Sequence, residues 1–290
     1  MSAATPDILC IGSVLWDVIG RSNAHMERGS DVPGRIVRLP GGVALNVAMA
    51  ARAYGMTPAL LSCVGRDAAG DELVAALDRM GLVTDTLYRS EDLPTDIYMA
   101  VEGGNGLIAA IADAHSLEAA GEKVLRPLER LAFAGPIAVD GNLTQDLLAR
   151  IAGRDDLRGA DLRLAPASPG KAERLLPFLE HPSATLYVNL EEAGLLLHAP
   201  QDDAARAAEA LRERGLHRAL VTDGPRLAAC AHPGGVEARA PREVMVTRVT
   251  GAGDTFMAAH IAAEVQGMDV ARALDRALEA AATYVSGDTY

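Results

Sequence analysis

Thr250-Gly251-Ala252-Gly253-Asp254-Thr255 stands directly before a helical-looking run from Phe256 to Gln266. Small residues at a helix start leave backbone N–H groups uncovered, at the end where the helix dipole favours an anion. Asp254 falls in the first turn, where a carboxylate can take a proton from a hydroxyl that attacks a bound phosphate. The plain alternative is a Gly-rich turn in which Asp254 only helps to start the helix, and six residues alone favour it. The rest of the chain must therefore supply a place for a phosphate donor and a place for an alcohol.

Outward from this segment, short apolar runs alternate with amphipathic stretches. Strands are expected at 8–12, 59–64, 137–140, 161–165, 185–189 and 219–222. Helices are expected at 42–54, 69–80, 144–152, 171–179, 202–214, 253–266 and 270–284. Gly55, Gly81 and Gly215 follow three of these helices, where a left-handed residue commonly ends the helix. Such alternation predicts an α/β fold: a mainly parallel central sheet flanked by helices, with its ligand site beyond the carboxyl ends of the strands. Two stretches break the pattern. Segments 14–20 with 35–39, and 96–102 with 107–113, read as strand pairs, the second joined by Gly103-Gly104-Asn105-Gly106. They predict a small β-sheet lid, formed by about 14–40 and 95–113, on a single domain spanning 1–290. No internal repeat, low-complexity stretch or linker is visible.

Composition narrows the partners. The 290 residues are 49% hydrophobic and 23% charged, as in an ordinary globular enzyme. A net charge of −12 argues against nucleic acid or an anionic membrane as partner. It also leaves the positive potential of any phosphate site to helix N-termini and a divalent cation. The two lysines, Lys123 and Lys171, lie outside any Gly-x4-Gly-Lys-Ser/Thr pattern, which excludes a Walker-type P-loop. Cys10, Cys63 and Cys230 have no metal-ligand spacing and read as reduced, buried thiols. The seven histidines show no zinc spacing either. With no leader pattern at 1–7 and no apolar run near the roughly 18 residues that span a bilayer, a cytoplasmic protein is expected.

A second Gly-rich element, Pro40-Gly41-Gly42-Val43-Ala44-Leu45-Asn46, opens the helix at 42–54. Adjacent glycines admit a ligand close to the backbone, and Asn46 lies one turn into the helix, where it can bond a hydroxyl. Asp17, soon after the first strand, reads by itself as a solvated acid or a cap. Asn189 and Glu192 end a strand and open a helix, where acids usually serve the dipole. The functional alternative has Glu192 holding the waters of a magnesium ion while Asn189 faces a phosphate. Val221-Thr222-Asp223-Gly224 ends another strand with a hydroxyl and a Gly turn, suited to nucleotide phosphates but common in α/β loops. Trp16 and Met99 near the lid read as packing or dimer contacts, with stacking on a nucleobase as the alternative.

In this order along nearly the whole chain, these elements resemble the ribokinase-like, or PfkB, carbohydrate kinase family. Gly41-Gly42-x3-Asn46 is similar to its N-terminal signature and Thr250-Gly251-Ala252-Gly253-Asp254 to its C-terminal one. Asn189-x-x-Glu192 and Thr222-x-Gly224 are similar to its magnesium-associated and nucleotide-loop motifs. The resemblance implies a ribokinase-like fold with the two insertions as lid, ATP and Mg2+ as cofactors, and a homodimer formed through the lid. It makes Asp254 the catalytic base and places Gly251, Ala252 and Gly253 around the transferring phosphoryl group. It assigns Asp17, Gly41, Gly42, Asn46 and Asn142 to the acceptor, and Asn189, Thr222, Asp223, Gly224 and Gly253 to ATP, with Glu192 acting on the metal through water.

Within the family, Ser30 to Ile36, Asp96 to Ala100 and Ala110 to Asp113 are similar to the lid segments of pseudouridine kinases, with Tyr98 and Asp113 as candidates to face the base. The implied reaction is phosphorylation of the 5′-hydroxyl of a ribosyl nucleoside, pseudouridine first. The alternatives are another nucleoside, ribose or a sugar acid, or a catalytically silent nucleotide-binding protein on the same fold. Four positions depart from the pattern. Leu15 stands where Asn is frequent, Ala165 where Asp is usual, Leu227 where Gly is frequent, and Arg248 where Asp or Asn flanks the family's monovalent-cation loop. A guanidinium there replaces a potassium ion or repels it, which leaves a K+ requirement open.

Overall fold

The computed structural model describes residues 5–131 and 133–287; the expectations for 1–4 and 288–290, the two ends of the single-domain range, lie outside these. The chain begins with strand β1 (Ile8–Ile11), the antiparallel pair β2 (Leu15–Arg21) and β3 (Arg35–Gly41), helix α1 (Val43–Ala53) and strands β4 (Pro58–Leu61) and β5 (Cys63–Gly65). Helix α2 (Ala68–Arg79), strand β6 (Tyr88–Ser90), the hairpin β7 (Ile97–Gly103) and β8 (Gly106–Asp113) and helix α3 (His115–Ala120) follow. Then come β9 (Ile137–Asp140), α4 (Gln145–Ala152), β10 (Leu162–Ala165), β11 (Thr185–Asn189), α5 (Leu190–Leu197), α6 (Ala204–Glu213) and β12 (Arg218–Thr222). Strands β13 (Ala228–His232) and β14 (Gly235–Arg239) and helices α7 (Ala252–Val265) and α8 (Val270–Ser286) complete it.

Eight strands form one sheet in the order β14-β13-β12-β11-β10-β9-β1-β4, parallel from β12 to β4 and antiparallel at the β13–β14 edge. Its central strands are buried on both faces and mostly apolar, as a sheet covered by helices on both sides requires, with Arg163 of β10 a charged exception. Side-chain alternation in β1 divides the core: Leu9 and Ile11 join one layer, Ile8 and Cys10 the other. Helices α1 and α7 pack against each other and share that second layer. The far end of α7 is fixed by an ion cluster in which Glu264 accepts from Arg163 (2.5 Å) and from Arg218. Burial opposes ionisation of Glu264, yet Arg163 and Arg218 hold its carboxyl down to about 2.

A second sheet, ordered β3-β2-β7-β8, joins the two predicted strand pairs through parallel pairing of β2 with β7. This is an α/β fold, a large mixed sheet between helices with a smaller separate sheet. Several details differ from the sequence expectation, among them β6, α3 and β14, which were not expected. The run at 59–64 is two strands: β4 closes the large sheet, while β5 leaves it after Ser62 to pair with β6. The helix expected at 171–179 is instead a 3-10 helix at Pro169–Phe178, with Pro177 inside it. Strand β13 went unread, since Ala-Ala-Cys-Ala-His has little intrinsic strand preference and is held there by cross-strand neighbours.

Candidate active site

Helix α7 starts at Gly251, whose φ of 89° places it in the left-handed region, and no side chain caps the helix. A Cβ at Gly251 would lie 2.6 Å from the Tyr284 hydroxyl, so only glycine fits. Thr255 N–H makes the first i→i−4 bond, to Gly251 O (3.0 Å). The first-turn N–H groups before it have no intrahelical acceptor and sit at the positive end of the dipole. Beside Gly253, a Cβ would meet open space, so the backbone there is accessible to a ligand.

Asp254 lies in this turn and accepts a hydrogen bond from Asn46 Nδ2 (2.9 Å). Burial drives its carboxyl up to about 7; the Asn46 bond opposes that shift, and Asp140 and Glu192 add to it by repulsion. A carboxyl poised near neutrality at an uncapped helix start suits a general base.

The other side of the cleft is built from the ends of β1, β3 and β9. Gly42 caps α1 with a φ of 104°, and a Cβ there would lie 2.4 Å from Ser13 O. At Gly41 the equivalent position is 2.1 Å from Asp17 Oδ2, so the Asp17 carboxylate lies directly over the glycine pair. Burial raises Asp17 to about 6. Tyr98 is in register with Asp17 across β2 and β7, which puts both on one face of the small sheet.

Asn142 is present but engaged: its amide nitrogen donates to Ser13 Oγ (3.0 Å) and Asp140 Oδ2 (3.2 Å), and its oxygen accepts from Lys171 Nζ (2.6 Å). Ser13 in turn donates its backbone N–H (2.8 Å) and hydroxyl (2.5 Å) to Asp140 Oδ2, and accepts from Val43 N–H (2.8 Å). Ser13, Asp140 and Lys171 were missed as site residues. Lys171 read only as a lysine outside a P-loop, although one of two lysines in the whole chain is itself a signal. Burial lowers its ammonium below the usual lysine range.

On the nucleotide side, a cavity of about 710 Å³ opens beside the start of α7, lined by Thr222, Gly224, Ala252, Gly253 and Phe256 with aliphatic walls from Val246, Val249, Leu278 and Val285. Asn189 and Glu192 form a reciprocal capping box at the start of α5, with Glu192 Oε2 accepting from Asn189 N–H and Asn189 Oδ1 from Glu192 N–H, both at 2.9 Å. Burial raises Glu192 to about 7. The pair therefore serves as the cap of α5. One Glu192 oxygen serves the cap, and the side-chain amide of Asn189 is left to donate. Asp223 is turned to Arg226 in a bidentate ion pair (2.6 Å and 2.6 Å). Asp113 is not brought to the group either: it bonds His115 Nδ1 (2.7 Å), and its register with Ile97 places it on the sheet face opposite Asp17 and Tyr98. Among the described residues no group of three or more His, Cys, Asp or Glu is placed to hold a metal by itself.

A two-sided cleft, with an acceptor wall carried by a small sheet and a nucleotide wall at a glycine-rich helix start, is the architecture of ribokinase-like kinases. The chain belongs to the pfkB family of carbohydrate kinases, whose family model matches residues 5–288. It is similar to the pseudouridine kinase of Escherichia coli, with 29% identity covering 92% of this chain and 86% of that one. It is also similar to the pseudouridine kinase of Arabidopsis thaliana, with 31% identity over 46% of this chain and 35% of the plant protein. A candidate ribokinase II of E. coli, solved in complex with ATP and Mg2+, superposes with a TM-score of 0.80 at 19% identity, covering 97% of this chain and 93% of that one. Among the described residues no helix is long and apolar enough to cross a membrane.

Proposed function

We propose that this family member phosphorylates the 5′-hydroxyl of a ribosyl nucleoside from ATP, and that the nucleoside is pseudouridine. The observation that carries the kinase reading is Asp254, bonded to Asn46 in the first turn of a glycine-started helix and raised to about 7. The substrate reading is supported by similarity to two pseudouridine kinases and by an acceptor wall of Asp17, Gly41, Gly42 and Asn46.

In this scheme the Asp17 carboxylate and the glycine pair hold the ribosyl hydroxyls, and the Asn142 network fixes the floor beneath them. Asp254 takes the proton of the 5′-hydroxyl as that oxygen attacks the terminal phosphorus, and the bond from that phosphorus to the β,γ-bridging oxygen breaks to release ADP. The N–H groups at Gly251 and Gly253 stabilise charge on the transferring group, while that of Ala252 donates to Val249 O (3.1 Å). Thr222 and Gly224 line the nucleotide cavity, with Asn189 at its edge. Glu192, raised and partly free, is suited to orient metal-bound water, and bound Mg2+ supplies charge neutralisation at the phosphate oxygens. We further propose that the small sheet is the lid and pairs two copies of the chain. Its face opposite Asp17 exposes Ile36 (79%), Met99 (45%) and Ile111 (61%), more apolar surface than a lid edge in water explains.

The test is ATP turnover over a panel of pseudouridine, uridine, adenosine, ribose and a sugar acid. Pseudouridine is expected to give the highest kcat/KM. No turnover above background with pseudouridine, alongside turnover of another member, reassigns the substrate. ATP binding with no transfer to any member favours a silent nucleotide-binding protein.

A further inference from the structure

The loop that delivers Gly251 to the phosphate site is tied to the carboxyl end of α8. The backbone N–H groups of Thr247 and Arg248 donate to Val285 O (2.8 and 3.3 Å), and Thr247 Oγ1 donates to the same oxygen (3.1 Å). Arg248 Nε donates to Tyr284 O (2.7 Å), and its guanidinium carbon lies 3.8 Å from the centre of the Tyr284 ring. Tyr284 in turn donates its hydroxyl to Thr250 O (2.8 Å), and that hydroxyl is the atom against which Gly251 is packed.

A cation bound in such a loop would satisfy helix-end carbonyls, offset the negative end of the α8 dipole and fix the approach to Gly251. Arg248 supplies all three from within the chain: a charged donor on a last-turn carbonyl, a positive charge at the helix end, and a cation–π contact to the ring whose hydroxyl holds Thr250. The carbonyls of Tyr284 and Val285 already accept from the protein, and a guanidinium stands beside them. The monovalent cation implied by the family resemblance therefore does not fit here.

We infer that Arg248 is a built-in replacement for a bound monovalent cation, a positioning residue that holds the phosphate-site loop so that nucleotide binding and phosphoryl transfer need no added K+. The inference rests on the kinase reading above, and its test reads nucleotide affinity separately from turnover. The protein is prepared in tetramethylammonium chloride. ADP affinity by titration calorimetry and kcat with pseudouridine are then followed as KCl replaces that salt at constant ionic strength. Wild type is expected to change by less than about twofold in either quantity. Arg248→Asp exposes the carbonyls and adds a carboxylate. It is expected to lose about tenfold in ADP affinity without K+, the effect of one lost charge-assisted bond, and to regain most of it as K+ is added. Arg248→Ala, with thermal melting as a check on folding, separates loss of the charge from gain of the carboxylate. A wild-type protein whose ADP affinity or kcat rises tenfold with K+ overturns the inference, as does an Arg248→Asp variant that ignores K+. ADP binding that is cation-independent but unaccompanied by transfer to any acceptor supports the loop assignment while sinking the kinase reading. Absence of ADP binding in both salts removes both.

Discussion

Asn46 and Asp254 stand 208 positions apart in the chain and meet at 2.9 Å. Burial pushes the Asp254 carboxyl up to about 7, and the bond from Asn46 pulls it down. The base form accumulates as pH rises through that value, so kcat/KM is expected to climb through about 7 and then level off. Asn46→Ala removes the lowering contact and should move this limb to higher pH, a displacement read directly from the pH profile of kcat/KM. An unshifted limb would separate Asn46 from the titrating group. The same shift has a cost in stability. The folded carboxyl is raised above its unfolded value of about 3.9, so the folded state holds a proton that the unfolded chain releases, and stability falls as pH rises from about 4 to about 7.

Two helices bring these residues together. The start of α1 depends on Gly42, which has a φ of 104° and lies where a Cβ would strike the Ser13 carbonyl, a backbone atom that cannot turn aside. Gly42→Ala should therefore lower stability by about 1–3 kcal/mol, measured by urea unfolding, and displace Asn46 along with the helix start. An alanine variant as stable as wild type would contradict this account of the cap. The glycine pair was legible in the sequence because close approach demands glycine wherever it occurs. So were Thr250 to Asp254 and the hairpin turn at Gly103–Gly106. The Ser13–Asp140–Asn142–Lys171 network was not legible, since it is assembled from the ends of separate strands and a 3-10 turn with no shared spacing. The partners of Asp223 and Asp113 were equally hidden. Arg226 and His115 are near neighbours in sequence, but whether a short-range ion pair or a ligand claims a carboxylate is decided by the direction in which the loop turns.

For the molecule as a whole, the two sheets divide the work: the eight-stranded sheet fixes α1 and α7, and the four-stranded sheet carries Asp17 and Tyr98. The alternation of strands and helices foretold the large sheet. The parallel pairing of β2 with β7, which fuses two hairpins into one small sheet, has no signature in either hairpin alone. That sheet's outer apolar face leads to the expectation of a dimer. Ile111→Asp should shift the protein from dimer to monomer in light scattering while leaving the melting temperature nearly unchanged. A wild-type protein that is monomeric at micromolar concentration would contradict the pairing.

The central claim is that Asp254 is the base of a kinase, and steady-state turnover of pseudouridine and ATP by Asp254→Asn tests it most directly. The amide keeps the shape and removes the basicity. The account predicts kcat lower by roughly 10²–10⁴-fold with ADP affinity retained. It also predicts a melting temperature about 2–4 °C above wild type at pH 8, where wild type must hold a buried carboxylate charged. Near-normal turnover by Asp254→Asn would contradict it.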